Sequence, residues 1–224
     1  MFQTNEELQK AVLTAIKWEP MLHAAEIGIT AKDGIITLTG VVDNYAKKSE
    51  AENAAKNVIG VKGVAEEITV DFGNSYTRND TEIANEILTA WKWNWRVPKD
   101  RVKVKVEEGW VTLDGELVWN YQKEAAKDSV VMLAGVKGVT NNITIKSEVK
   151  EIVEKSAVEN AISRNWSLGD KGIQVAVSGN DVTLTGSVNS VYQKEEAGRL
   201  AWGAPGVWNV DNQLVVEYEY EFVD

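Results

Sequence analysis

"LTGVVDNYAKKSEAENAAKNVIGVKGV", residues 38–64, is followed by two further copies in the same chain, and this repetition decides the fold. The second copy is "LDGELVWNYQKEAAKDSVVMLAGVKGV" at 113–139, and the third is "LTGSVNSVYQKEEAGRLAWGAPGVWNV" at 184–210. In each copy, 20 residues separate the glycine of L-x-G from the glycine that opens the later G-V pair. Offsets of 75 and 71 residues align the copies without a gap. A self-match of this length indicates tandem duplication of one small domain.

Each copy begins with an amphipathic helix and a β-hairpin. Apolar residues recur at helical spacing in "EELQKAVLTAIKW" (6–18) and in "EIANEILTAWKW" (82–93). Asn5 and Thr81 are the expected N-caps of these helices. The alternation in "VKVKV" (102–106) is typical of a strand, and a turn containing glycine joins it to a second strand.

A second helix and a last strand complete each copy, so the predicted order is α-β-β-α-β. The second helix starts near Asn44, Asn120 or Ser190, and the last strand is "EEITV", "NNITI" or "NQLVV". The sequence therefore predicts an α+β protein of three tandem domains, each with two helices packed on a small mixed three-stranded sheet. The predicted domains are 1–74, 78–147 and 149–224, and the third ends in an extended strand.

Two sets of glycines mark the ends of elements. We expect the first set to end the hairpin, and the second to adopt a left-handed conformation where the second helix stops. The first set is Gly40, Gly115 and Gly186; the second is Gly60, Gly135 and Gly206. These residues are interpreted as determinants of the fold and not of chemistry.

The repeated pattern V-T-L-x-G-x-V, then an Ala- and Glu-rich helix, then G-V-x-x-V-x-N-x-(I/L)-x-V, resembles the BON domain (bacterial OsmY and nodulation). "GVWNVDNQLVV" (206–216) matches it best; Asn141 and Asn212 hold the Asn of the motif, where the first copy has Glu66. The resemblance implies two helices on one face of a mixed three-stranded sheet. The family includes osmotically induced periplasmic proteins, an outer-membrane lipoprotein that binds anionic phospholipid, and a potassium-binding protein. Since none of its BON domains is known as an enzyme, the resemblance implies a binding or envelope role and fixes no ligand.

Composition argues against catalysis. The 224 residues include no cysteine and one histidine, His23. Thiolate catalysis is therefore excluded, and a Ser-His pair could use only this one histidine. No phosphate-binding or dinucleotide-binding glycine motif is present. Adjacent acidic residues are interpreted as solvated faces or turns, because no calcium-loop spacing accompanies them. We therefore expect no enzyme, no cofactor and no metal site.

The charge is acidic overall and unevenly distributed. The net charge of −10 disfavours nucleic acid as a partner. Residues 1–77 carry −4 and residues 148–224 carry −7, whereas residues 78–147 carry +1. No apolar run is long enough to span a bilayer, and the N-terminus lacks a signal peptide. The sequence as written predicts a cytoplasmic protein, or a periplasmic one if Met1 replaces a removed signal peptide.

The middle copy combines tryptophan with basic residues in "WKWNWRVPKDRVKVKV" (91–106). Trp91 aligns with isoleucines of the other copies and is a core candidate. The other residues suit an anionic membrane surface, where indole lies at headgroup level. The predicted lipid-binding residues are Trp93, Trp95, Arg96, Arg101, Lys103 and Lys105. The alternatives are that the lysines only discourage edge pairing, and that Trp93, like Trp18, closes the core at the end of the first helix.

A second set of candidates suits a protein partner or a homo-oligomer. Trp119 and Trp208 replace polar residues of the other copies, and "VVEYEYEFV" (215–223) extends beyond the sibling strands. The predicted interaction residues are Trp119, Trp208, Tyr218, Tyr220 and Phe222. The alternative is packing between domains.

Three functions follow from these candidates. The first is a non-enzymatic binding or scaffolding protein of envelope or osmotic stress that associates with anionic phospholipid through the middle domain. The second is a soluble protein-interaction or holdase-like module that uses the exposed tryptophans and the C-terminal strand. The third is potassium-ion binding by backbone carbonyls.

Overall fold

A computed structural model describes residues 4–22, 27–73, 78–146, 153–168 and 172–217. The first repeat contains α1 (Asn5–Trp18), β1 (Ile27–Lys32), β2 (Ile35–Val42), α2 (Tyr45–Lys56) and β3 (Gly63–Val70). The second contains α3 (Asp80–Trp93), β4 (Val102–Glu107), β5 (Trp110–Leu117), α4 (Asn120–Val131), β6 (Gly138–Asn141) and β7 (Thr144–Ile145). The third contains α5 (Lys155–Ser163), β8 (Gln174–Ser178), β9 (Asp181–Thr185), β10 (Ser187–Val188), α6 (Val191–Trp202), β11 (Asn209–Asn212) and β12 (Val215–Val216). The α+β fold class and the order α-β-β-α-β are confirmed.

In each repeat the second strand lies in the centre of a mixed sheet. In the middle repeat, β5 pairs antiparallel with β4, where Val104 faces Leu113, and parallel with β6, where Val111 faces Val139. The strand order is β4-β5-β6 in this repeat and β1-β2-β3 in the first. The last strand of the second and third repeats is interrupted, so β7 pairs with the end of β5 and β12 pairs with β10. The first strand of each repeat is therefore an edge strand.

Both helices of the middle repeat pack on one face of its sheet. Trp91, which is 1% exposed, lies in this core, and its indole N–H donates to the carbonyl oxygen of Ala126 at 3.1 Å. Val104 and Val106 are half-buried against the same core. Because side chains alternate along a strand, Lys103 and Lys105 lie on the opposite face of the sheet. The buried residues of this core are Ile83, Ile87, Trp91, Val97, Val102, Val111, Leu113, Leu117, Ala125, Ala126, Val130, Val136 and Ile143.

The first helices of the first and middle repeats begin with capping boxes, upstream of the predicted N-caps. Thr4 accepts a hydrogen bond from the backbone N–H of Glu7, and the Glu7 side chain accepts one in return from Thr4. Asn79 and Glu82 form the same pair in the middle repeat. The prediction of Asn5 and Thr81 was wrong, because a Glu three residues after the cap fixes the start of the helix. Asn5 instead accepts a hydrogen bond from the hairpin turn, where the N–H of Asp33 donates at 2.9 Å.

The two sets of glycines have different roles. Gly60, Gly135 and Gly206 have φ near 90°, 89° and 83°, which confirms the left-handed conformation, although each lies four residues beyond the helix. In the first set, β9 ends directly before Gly186, but β2 continues past Gly40 and β5 continues past Gly115, so the prediction was wrong for Gly40 and Gly115. A Cβ at position 115 would lie 2.3 Å from the carbonyl oxygen of Arg101, because β4 and β5 approach closely at this point, and only glycine avoids this clash. β5 therefore continues to Leu117.

The asparagine of the repeated motif connects the last strand to the second helix. Asn141 donates to the carbonyl oxygen of Lys123 at 3.2 Å and accepts from the N–H of Ile143 at 3.2 Å. Asn212 makes the equivalent bonds in the third repeat. In the first repeat, Glu66 makes the second of these two bonds, since its side chain accepts from the N–H of Ile68. The motif position is therefore structural.

The chain divides into two compact units. One comprises residues 1–40, 50–68 and 151–224, and the other comprises 41–49 and 69–150. Within the first unit, Lys56 Nζ lies 2.7 Å from Glu195 Oε1 and 2.9 Å from Glu52 Oε1. Burial acts to lower the pKa of Lys56, but the hydrogen bonds to these two carboxylates outweigh it and raise the pKa. The contact connects the first and third repeats, and the predicted domain boundaries stay a prediction.

Candidate functional site

A short turn follows the first helix of the middle repeat and is fixed at both of its ends. The N–H of Val97 donates to the carbonyl oxygen of Asn94 at 3.0 Å, and the Val97 side chain is buried in the core. The Asn94 amide donates to Ser129 Oγ at 3.0 Å, and its oxygen accepts from the N–H of Arg96 at 3.1 Å. Since residues 94 and 97 are held inward, Trp95 and Arg96 project outward.

Both tryptophans at this turn are displayed to solvent. Trp93 is 81% exposed and Trp95 is 84% exposed. The guanidinium carbon of Arg96 lies 5.7 Å from the centroid of the Trp95 ring, within the range of a cation–π contact. The alternative that Trp93 and Trp18 close the core was wrong, since Trp18 is also 81% exposed. Val97 closes this end of the core instead.

The third repeat builds the same turn. Asn165 donates to Glu196 Oε1 at 2.9 Å and accepts from the N–H of Ser167 at 3.0 Å. The N–H of Leu168 donates to the Asn165 carbonyl at 3.0 Å, and Leu168 is buried. Trp166, between these anchors, is 95% exposed. Sequence reasoning missed Trp166, although the offset of 71 residues aligns it with Trp95.

The first repeat has a variant of this turn. The N–H of Leu22 donates to the Glu19 carbonyl at 3.0 Å, and Leu22 is buried. Glu19 occupies the position of the anchoring asparagine, and Pro20 occupies that of the displayed tryptophan. We call residues 19–22, 94–97 and 165–168 the outward turns.

The three outward turns differ in the charge around them. Residues 92–101 carry four basic residues and one acidic residue, a net of +3. The aligned residues 17–26 carry −1, and residues 163–172 carry +1. Only the middle repeat therefore combines displayed indoles with a strongly basic surrounding.

The six predicted lipid-binding residues form two groups. Trp93, Trp95 and Arg96 lie at the outward turn, and Arg101 ends the 3-10 helix that leads from this turn into β4. Lys103 and Lys105 are exposed on the outer sheet face, and four residues of strand from Arg101 to Lys105 span about 13 Å.

The charge of the outer sheet face is partly offset. Lys105 Nζ lies 2.9 Å from Glu107 Oε2 in an exposed ion pair, and Lys103 lies opposite Asp114 across the strands. The structure thus distinguishes a basic aromatic turn from a sheet face of mixed charge.

The predicted interaction residues have different environments. Trp119 is half-buried at the N-cap of α4, where its indole has no acceptor to offer. The aligned residues do cap their helices: Asn44 accepts from the N–H of Lys47, and Ser190 accepts from the N–H of Gln193. Trp208 is 46% exposed. Tyr218, Tyr220 and Phe222 lie outside the described residues, so the structure says nothing of the C-terminal strand beyond 217.

Neither a membrane-spanning helix nor a cluster of metal ligands is found in the part of the chain that the structure describes. No helix among these residues combines the length and the apolar character that crossing a membrane requires. Nor do three or more His, Cys, Asp or Glu side chains of the described residues converge as metal ligands would.

Three α-β-β-α-β repeats in one chain define a class of tandem small-domain α+β proteins. The BON domain matches residues 4–71, 79–147 and 155–218, which together are most of the chain. The chain therefore belongs to the BON-domain family, as its motifs predict.

Two relatives are similar over much of their length. The osmotically-inducible protein Y of Escherichia coli (strain K12) is 26% identical over 149 residues, which are 65% of this chain and 74% of that protein. The outer membrane lipoprotein DolP of Haemophilus influenzae is 30% identical over 138 residues, which are 60% of this chain and 71% of that protein.

Solved structures match only distantly. CdsD, a structural protein of the type III secretion system of Chlamydia trachomatis, has a TM-score of 0.26 at 18% identity over 94% of this chain and 92% of its own. The PrgH periplasmic domain has a TM-score of 0.23 at 10% identity over 87% of this chain and 96% of its own. At these TM-scores neither likeness carries an argument.

Proposed function

We propose that the protein is a non-enzymatic binding protein of the cell envelope that associates with anionic phospholipid through the outward turn of its middle repeat. One observation carries this proposal: a turn anchored by Asn94 and Val97 displays Trp95, and Trp93 ends the helix directly before it, so that two indoles, each more than four-fifths exposed, lie in a segment of net charge +3. The two relatives support the setting, since one is named as osmotically inducible and the other as an outer membrane lipoprotein.

The geometry suits a membrane surface in two ways. Indole rings favour the headgroup region of a bilayer, where their apolar body and polar N–H are both accommodated. A basic residue close to an anionic leaflet contributes about 1 kcal/mol of attraction, which acts within a Debye length. Because this distance is short, the local charge at the turn matters more than the net −10 of the chain. The fixed turn also limits the entropy lost on binding.

Cosedimentation with phosphatidylglycerol-containing vesicles tests the proposal. We expect the protein to bind at low salt and to dissociate as salt rises. The variant Arg96→Glu/Arg101→Glu reverses two charges, a change of four charge units worth about 4 kcal/mol, and should reduce binding by about three orders of magnitude. Both residues are exposed, so circular dichroism should show an unchanged fold.

The outer sheet face provides the matched control. Lys103→Glu/Lys105→Glu makes the same charge change, on a face where Glu107 and Asp114 already offset the lysines. We expect this variant to retain most of the binding. Equal losses in both variants would show that overall charge, and not the turn, determines association. Failure of the wild-type protein to bind anionic vesicles at low ionic strength would overturn the proposal.

A second candidate function is that of a protein-interaction or holdase-like module, and Trp119 favours it. Because the indole of Trp119 cannot accept a hydrogen bond, α4 lacks the side-chain N-cap that stabilises other helices by about 1 kcal/mol. A residue kept at this cost to helix stability favours a role in contact with a partner. The test restores the residues found in sibling repeats, with Trp119→Ser after Ser190 and Trp208→Lys after Lys137. If the holdase function holds, this variant should be at least as stable as wild type and should suppress aggregation of an unfolded client less well. Unchanged suppression would contradict it.

A further inference from the structure

We infer that Trp166, at the outward turn of the third repeat, is a second lipid-contact point that depends little on charge. The inference rests on the proposed function, because it assigns the same class of ligand to a turn of the same construction. It also goes beyond that function, because the repeat that carries Trp166 is the most acidic third of the chain.

The display of Trp166 is imposed by the turn. Asn165 is held by bonds to Glu196 and to the backbone N–H of Ser167, and Leu168 is buried three residues further on. The middle turn has the same kinds of anchor at nearly the same distances, although the partner of its asparagine on the second helix is Ser129, which does not align with Glu196. The indole between them is 95% exposed, more than that of Trp95. A side chain held outward in two repeats by the same kinds of contact indicates a shared use.

The surroundings of Trp166 favour a lipid interface over a protein partner. Ser163 and Arg164 are exposed, and Ser167 is half-buried, so the described chain neighbours of the indole on its turn are polar. A specific protein interface buries about 800 Å² on each side, whereas one indole offers roughly 150–250 Å². A bilayer surface is deformable and can accommodate a single side chain without a complementary pocket. The ligand that fits a lone displayed indole is therefore the headgroup region of a membrane.

Charge separates this contact from that of the middle repeat. Residues 163–172 carry a net +1, against +3 for residues 92–101. Added salt screens charge attraction but does not remove the preference of indole for the interface. Once the protein is bound, the contact at Trp166 should therefore respond less to salt than the contact at Trp95.

The absence of cysteine from the chain allows a direct test. Three full-length variants, Trp166→Cys, Trp95→Cys and Asp181→Cys, each take one environment-sensitive NBD label. Asp181 is exposed at the hairpin of the third repeat, and β8, five residues and about 16 Å long, separates this hairpin from the outward turn. The label at 181 is therefore the matched control within the same repeat. The probe is a phosphatidylglycerol-containing vesicle at low salt, followed by stepwise addition of salt.

We expect labels at 166 and 95 to gain emission several-fold and to shift to shorter wavelength, while the label at 181 stays unchanged. During salt addition to vesicle-bound protein, the shift at 95 should be lost before the shift at 166. A silent label at 166 beside a responding label at 95 would overturn the inference and leave the proposed function intact. Equal responses at 166 and 181 would also overturn it, as would loss of the signal at 166 before that at 95. Silence at all three positions, with unlabelled protein that does not sediment with vesicles, would overturn both.

Discussion

The outward turns of the middle and third repeats share one framework and differ in what surrounds it. Asn94 and Asn165 make corresponding side-chain and backbone bonds, and Val97 and Leu168 fill the same end of their cores. The residue after the displayed indole is an arginine in the middle repeat and a serine in the third. The comparison teaches that the framework determines display, whereas the flanking charge determines how strongly salt should affect the contact of the displayed side chain with an anionic surface.

The first repeat shows how far the framework tolerates change. Its turn retains the buried anchor, Leu22, but has Glu19 for the anchoring asparagine. Pro20 replaces the displayed indole, although Trp18 remains exposed two residues earlier. Function in this family of repeats is thus a property of sites placed on a common fold, and not of the fold itself.

Transfer of charge between the two turns gives the largest expected effect. Ser163 aligns with Lys92, and Ser167 aligns with Arg96, so Ser163→Lys/Ser167→Arg raises the net charge of residues 163–172 from +1 to +3. In the Arg96→Glu/Arg101→Glu background, this change should restore part of the lost binding to anionic vesicles. Two added charges correspond to about 2 kcal/mol, or roughly 30-fold in affinity.

Vesicle cosedimentation at several salt concentrations measures this rescue, which should weaken as salt rises. The control places the same two charges away from the turn, at exposed Ser156 and Asn160 of α5, as Ser156→Lys/Asn160→Arg. If the control rescues binding as well as the transfer does, the turn has no special role and the comparison fails.

Removal of the anchoring amides has the next largest effect. Asn94→Ala loses bonds to Ser129 and to the N–H of Arg96, and Asn165→Ala loses the equivalent pair. Each partly buried bond contributes about 0.5–1.5 kcal/mol, so each variant should be destabilised by about 1–2 kcal/mol. Denaturant unfolding measures the loss, and vesicle binding should weaken more for Asn94→Ala than for Asn165→Ala, because the basic charge lies at the middle turn.

The matched control for this pair is Asn85→Ala, an exposed asparagine on the same helix as Trp93. Alanine is the better helix former, so this variant should be neutral or slightly more stable. An unchanged unfolding free energy for both anchor variants would mean that the turn is held by its buried apolar residue alone.

The fold could be predicted because the same pattern of residues occurs three times in the sequence. A fixed spacing between glycines, helical periodicity before it and strand alternation around it each indicate the same five elements. Trp91 could be placed in the core because its aligned residues are isoleucines. Where an expected N-cap was wrong, the capping box, a local pattern of Thr or Asn followed by Glu, carried the missing information.

The candidate site was only partly predictable, for a physical reason. The last apolar residue of a helix closes the core only if the following chain does not, and at this position the buried Val97 or Leu168 does so instead. The direction of that turn depends on hydrogen bonds from Asn94 and Asn165 to residues distant in sequence. Alignment of the repeats could have identified Trp166 as a candidate residue, but it could not predict that the side chain is exposed to solvent.

The smallest expected effect concerns the acidic version of the turn in the first repeat. Burial raises the pKa of Glu50 above its ordinary value of 4.5, and repulsion by Glu19 and a hydrogen bond with it raise the pKa further. The folded state therefore binds this proton more tightly than the unfolded state does. At neutral pH the ionised carboxylate of Glu50 opposes folding, and this cost disappears as pH falls through the raised pKa to below 4.5.

Glu50→Gln should remove this cost, so the variant should unfold at a slightly higher temperature than wild type at pH 7. The expected difference is roughly 0.2–1 kcal/mol, as for other partly exposed charge pairs, and it should vanish when both proteins are measured near pH 4. Glu52→Gln, two residues further along α2, is the control with the opposite sign, because it removes a partner of Lys56 at 2.9 Å and should destabilise the protein at pH 7. Thermal unfolding across this pH range measures both. If Glu50→Gln were less stable than wild type at pH 7, the two carboxylates would not repel. The turn at Glu19 would then stabilise the fold as much as the turns anchored by asparagine do. An amide anchor and a carboxylate anchor would not differ in their contribution to the free energy of unfolding.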